Sequence, residues 1–149
     1  MVTESIQDVL HWSTRFHTTL AYRLDKSQDY APGDRERMLM NFLSEHEKLL
    51  ADHYSRYQRA DDMNPLKTWS HHYQQTYPKG WMRDFQEPYE NMSTDEIVED
   101  VEGQHHAVIQ FYKTLKAKAT APEVVELLEL LIELETAETC SMSEASSRL

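Results

Sequence analysis

Glu135 and Glu138 are cation-binding residue types, spaced so that a helix turns both toward its apolar side. The segment PEVVELLELLIELETAETCSM carries Val124, Leu128, Leu131 and Met142 on one stripe when wound at about 100° per residue. Glu126, Glu129 and Glu133 fall on the opposite face, whereas Glu135 and Glu138 fall within about 40° of the stripe's centre. A carboxylate aimed at a core is costly unless it is protonated, paired or bound to a cation. The chemistry such a pair points to is metal binding or a buried ionic network.

The same projection finds partners on the other helical segments. In SIQDVLHWSTRFHTTLAYRLD, His17 lies in the stripe of Ile6, Leu10, Leu20 and Leu24, and His11 points away. In RERMLMNFLSEHEKLLADHYSRYQ the stripe is read through Leu39, Leu43, Leu50 and Tyr57. It has His46 and His53 on its centre line and Glu45 and Glu47 to either side. In STDEIVEDVEGQHHAVIQFYKTLKAKA, His105 joins Ile97, Val101, Val108, Tyr112 and Leu115, and His106 does not. The expected site is His17, His46, His105, Glu135 and Glu138, with Glu102 as a further ligand if its helix is rotated. His53 lies about two turns lower and is read as a hydrogen-bonded core histidine. His71 and His72 are read as surface residues.

The elements that must hold these side chains are helices throughout. Long 3.6-residue periodicities, 3 Gly and 5 Pro, and no convincing alternating segment give an all-α chain, expected as one domain over 1–149. Helices are predicted at about 4–27, 34–61, 93–119 and 121–145. Asp34 is read as an N-cap, and Ser93-Thr94-Asp95-Glu96 and Thr120-Ala121-Pro122-Glu123 as capping boxes. Short links pair helices 1 with 2 and 3 with 4 as antiparallel hairpins. The connection 62–92, with a short helix at about 65–77, is then a crossover running the length of the bundle. Its aromatics Trp69, Tyr73, Tyr77, Trp81, Phe85 and Tyr89 recur every fourth residue and are read as an apolar strap. With helices 1 and 4 running one way and 2 and 3 the other, the five site residues fall at heights of about 18–24 Å.

Two hairpins and a long crossover resemble the ferritin-like superfamily, especially the rubrerythrin-like and bacterioferritin-like four-helix bundles. The resemblance covers nearly the whole chain and rests on topology. It implies metal held by a Glu from each of two helices and a Glu-x-x-His from each of the others. Glu102-Gly103-Gln104-His105 matches that motif. Elsewhere the pattern changes: His17 stands where a Glu is usual, Leu43 stands three before His46, and Glu138 stands where a His is usual. The implied site is richer in histidine than those relatives have. Imidazole with carboxylate suits Fe or Mn, and also Zn, so one or two transition-metal ions at mid-bundle are expected, serving either redox or oxygen chemistry or a structural role.

The alternative is a bundle without metal, in which the histidines and glutamates form a buried ionic network. The protein is then a non-catalytic interaction or regulatory module, with a partner protein docking on Trp69, Tyr73 and Trp81. A formal charge of −11 opposes a nucleic-acid or anionic-membrane surface. With no cleavable leader or long apolar run read from the chain, a cytoplasmic protein is expected. A homodimer is expected, with Trp12, Phe16 or the crossover aromatics as its patch. The lone Cys140 falls on a polar face.

Overall fold

The computed structural model describes residues 3–4, 6–59, 71–72, 89 and 91–148. Four helices carry the architecture: α1 (Ile6–Ser27), α2 (Asp34–Arg59), α3 (Thr94–Lys118) and α4 (Pro122–Ser146). A single 3-10 turn, Gln28–Tyr30, follows α1. Apart from the helices, Thr3–Glu4 pairs antiparallel with His71–His72. No helix is long and apolar enough to cross a membrane among the described residues.

The helices pack as two hairpins, α1 on α2 and α3 on α4. Side-chain contacts fix their directions. Along α2, Glu47 meets His105 and Tyr54 meets Tyr112, so α2 and α3 run the same way. His46 meets Glu138 while Tyr54 meets Glu135, so α4 runs against α2. With α2 and α3 parallel, the end of α2 and the start of α3 lie at opposite ends of the bundle, about 39 Å apart for a helix of this length. The fold is an all-α four-helix bundle of two antiparallel hairpins joined by a long crossover. The predicted helix at about 65–77 and Trp69, Tyr73, Tyr77, Trp81 and Phe85 lie outside the described residues. Tyr89, at the crossover's end, is buried, donates to Asp100 at 2.6 Å and lies under the Arg23 guanidinium.

The core follows the expected stripes on three helices. Ile6, Leu10, Leu20 and Leu24 of α1 are buried, as are Ile97, Val101, Val108, Tyr112 and Leu115 of α3 and Val124, Leu128, Leu131 and Met142 of α4. On α2 Leu39, Leu43 and Leu50 are buried as expected, whereas Tyr57, the fourth member of the expected stripe, is only partly buried. Met40, Leu43, Glu47, Leu50 and Tyr54, spaced three and four apart, face inward, together with Ser44 and Ala51. The line through His46 and His53 is displaced from them, and His53, expected as a core histidine, is exposed. The cause is that α1 and α2 approach through small and polar residues, with Ser44 Oγ donating to Ala21 O at 3.2 Å and to Asp25 at 2.6 Å. A hydrophobicity-weighted projection gives such positions little weight, so its centre moves away from them.

Three local expectations are also corrected. Asp34 is the first helical residue rather than the cap, since Arg37 N donates to Gly33 O and the Asp34 carboxylate pairs with Arg37. The Thr120 capping box does not form, because α4 starts from Ala121 with Pro122 in its first turn. Phe16 is not an exposed dimer patch: it is buried, and Trp12 stacks on it at 5.3 Å and meets Phe111 edge-on at 5.5 Å. The Ser93–Glu96 box forms in full.

Candidate metal centre

Each helix delivers one ligand-type side chain to a common level: His17 from α1, Glu47 from α2, His105 from α3 and Glu135 from α4. All four are 0 % exposed. Each takes a place that its own helix's period reserves for an apolar residue, which is what brings it inside. The Glu47 carboxylate lies between the two imidazoles. Its Oε2 is 2.9 Å from His17 Nδ1, and its Oε1 accepts from His105 Nε2. His17 Nε2 lies 2.6 Å from Glu135 Oε1. His105 Nδ1 donates to Thr139 Oγ1 at 3.1 Å, since the Thr139 hydroxyl proton is committed to Glu135 O at 2.7 Å.

A second set of hydroxyls supports this layer from below. Tyr54 Oη donates to Glu135 Oε1 at 2.5 Å, Tyr112 Oη donates to Tyr54 Oη at 2.9 Å, and Ser13 Oγ lies 2.5 Å from Tyr112 Oη. The Tyr54 ring stacks on His17 with centroids 5.4 Å apart. Burial raises both tyrosines well above their ordinary range, and the Glu135 charge adds to that, so both remain hydroxyl donors. The other carboxylate oxygen, Glu135 Oε2, is buried without a hydrogen bond and stands 3.4 Å from His105 Nδ1.

Burial and neighbouring charge act in opposite directions on the protonation of the cluster. Burial works to lower the His17 imidazole, but the charges of Glu135 and Glu47 outweigh it and raise it to about 10. Burial works to raise Glu47, but His105 and His17 hold it at about 2. His105 is raised against its burial by Glu47, and Glu135 is lowered against its burial by His17. Without a metal, the layer is therefore two imidazolium ions against two carboxylates.

His17, Glu47 and His105 can each offer one ligand atom within 4.8 Å of the others'. Ligand atoms around a tetrahedral ion with bonds of about 2.1 Å are about 3.4 Å apart. Converting the network to a metal centre thus needs loss of the shared protons and ligand shifts of about 1 Å or less. The nitrogens facing away from Glu47 are already held, His17 Nε2 by Glu135 and His105 Nδ1 by Thr139. Such outer acceptors fix the tautomer and ring orientation of ligating histidines.

The sequence-predicted residues therefore divide. His17, His105 and Glu135 meet in the buried layer. His46 and Glu138 instead pair with each other at 3.0 Å, each about a quarter exposed. Glu102 lines a surface groove with Arg35, Glu99 and Ser143, outside the layer. Glu47 is the residue that the projection placed off to the side. Its place in the three-and-four spacing Met40, Leu43, Glu47, Leu50, Tyr54 was the signal that identifies it. Comparison with known proteins finds no match to the chain, either among protein families, among curated proteins or among solved structures.

Proposed function

We propose that the protein binds one transition-metal ion, Fe(II), Mn(II) or Zn(II), through His17, Glu47 and His105, with Glu135 and Thr139 orienting the two imidazoles. The observation that carries this reading is the buried group of two imidazoles and one carboxylate, each imidazole with an acceptor on its far nitrogen. Two histidines and one carboxylate leave coordination positions open and are the donor set of non-haem Fe(II) centres. Bound there, such an ion supplies Lewis acidity and, if iron or manganese, one-electron chemistry. The parallel α2 and α3 support a ferritin-like ancestry, with a ligand set reduced to one residue from each of three helices, α1, α2 and α3.

Elemental analysis of protein purified without an affinity tag tests the proposal. About one equivalent of a transition metal is expected, as purified or after anaerobic loading with Fe(II) or Mn(II). Less than about a tenth of an equivalent under both conditions removes it. A second reading is favoured by a different observation: each nitrogen of His17 and His105 already faces an acceptor, and the charges of the layer balance. In that reading the bundle is a metal-free scaffold whose polar layer fixes how the helices register, and the same analysis returns no metal.

A further inference from the structure

The buried layer has no exposed atom through which an ion could arrive, so the route to it must be built by its neighbours. One pair stands in the right place. His46 directly precedes Glu47 on α2, and Glu138 lies one turn beyond Glu135 on α4. Their side chains join at 3.0 Å across the α2–α4 seam, 23 % and 25 % exposed, with the Phe42 ring 4.4 Å from the imidazole. Surface pairs such as Arg37–Asp34, Lys48–Asp25, Arg56–Asp52 and Lys116–Glu129 contain a cation that cannot bind metal. His46 and Glu138 are both ligand types. Glu135, one turn from Glu138 on the same helix, carries Oε2, a buried carboxylate oxygen with no hydrogen bond. A formal charge of −11 favours the approach of cations over the surface as a whole.

We propose that His46 and Glu138 form a capture site for a divalent transition-metal ion, and the entrance through which it passes by Glu135 to His17, Glu47 and His105. This rests on the metal reading above and adds a second, weaker position at the surface. Two ligands in partial contact with water hold an ion loosely, which an entrance requires. The buried group, with its imidazoles fixed by outer acceptors, holds it tightly.

The test mixes metal-free full-length protein with Co(II) and follows the cobalt absorption in time, for the native chain and for the double variant His46→Gln/Glu138→Gln. The native chain is expected to take up one tight and one weaker equivalent. The double variant should keep the tight equivalent, lose the weak one and fill measurably more slowly. The single variant Glu138→Gln, which retains a hydrogen-bonding group opposite His46, provides the same comparison if the double variant does not fold. An unchanged filling rate overturns the entrance and leaves the buried centre standing. Loss of the tight equivalent also overturns it, by making the pair part of the main site. Native protein that takes up no Co(II) overturns both the entrance and the metal reading.

Discussion

At Glu47 a single carboxylate faces two imidazoles, and this gives the stability of the metal-free protein a definite pH dependence. His17 is raised from 6.5 to about 10, so its contribution is complete below 6.5 and is lost as pH rises through about 10. Glu47 is lowered from 4.5 to about 2, so its contribution is complete above 4.5 and is lost as pH falls through about 2. Metal-free protein should melt at its highest temperature between those limits and lose stability on the alkaline side. Metal binding requires neutral imidazole, so affinity should rise over the same alkaline range. Melts in chelator and Co(II) titrations across that range check both slopes; a metal-free melting temperature that climbs with alkali contradicts the assignment. Tyr54→Phe removes the donor to Glu135 and the acceptor of Tyr112. It should cost about 1–3 kcal/mol in denaturant unfolding. Of the residues that matter at this scale, His17, His105 and Glu135 were legible because each interrupts a strongly apolar stripe. Glu47 was not, because its neighbours on the inward face include Ser44 and Ala51, whose burial hydrophobicity does not register.

Among the elements, α3 shows how much of a helix can be read from its first turn. Ser93 Oγ accepts from Glu96 N, and the Glu96 carboxylate accepts from Ser93 N, so two N–H groups that the helix cannot satisfy are satisfied by side chains. Ser93→Ala should therefore destabilise the fold by about 1 kcal/mol, measured by chemical denaturation, with metal stoichiometry unchanged because the layer lies farther along the helix. The start of α4 has the same Ser/Thr-x-x-Glu spacing and a different outcome. Pro122 has a fixed backbone angle suited to the first helical position, which leaves Thr120 outside the cap position. On α2, period alone allowed two inward lines sharing Leu43 and Leu50. The choice between them depended on how closely α1 approaches, a tertiary fact that no single helix contains.

For the whole molecule, connectivity was legible because link lengths constrain direction: a short α3–α4 link forces a hairpin, and a long segment between α2 and α3 permits them to run parallel. What that topology produces is convergence of four ligand-type residues from four separate helices. An ion bound there ties together α1, α2 and α3 directly, and α4 through the contact of Glu135 with His17, and has no equivalent site in the unfolded chain. Such an ion at about a hundredfold its dissociation constant should stabilise the protein by about 2.7 kcal/mol. For a chain of this size that corresponds to a melting temperature higher by about 5–10 °C. The gain should be absent from Glu47→Gln, in which the group central to both histidines no longer carries charge. Ser93→Ala, by contrast, should begin from a lower melting temperature and show the full gain. Melts of the three proteins with chelator and with added Co(II) check this. Equal gains in native protein and Glu47→Gln would place the ion somewhere other than the buried layer.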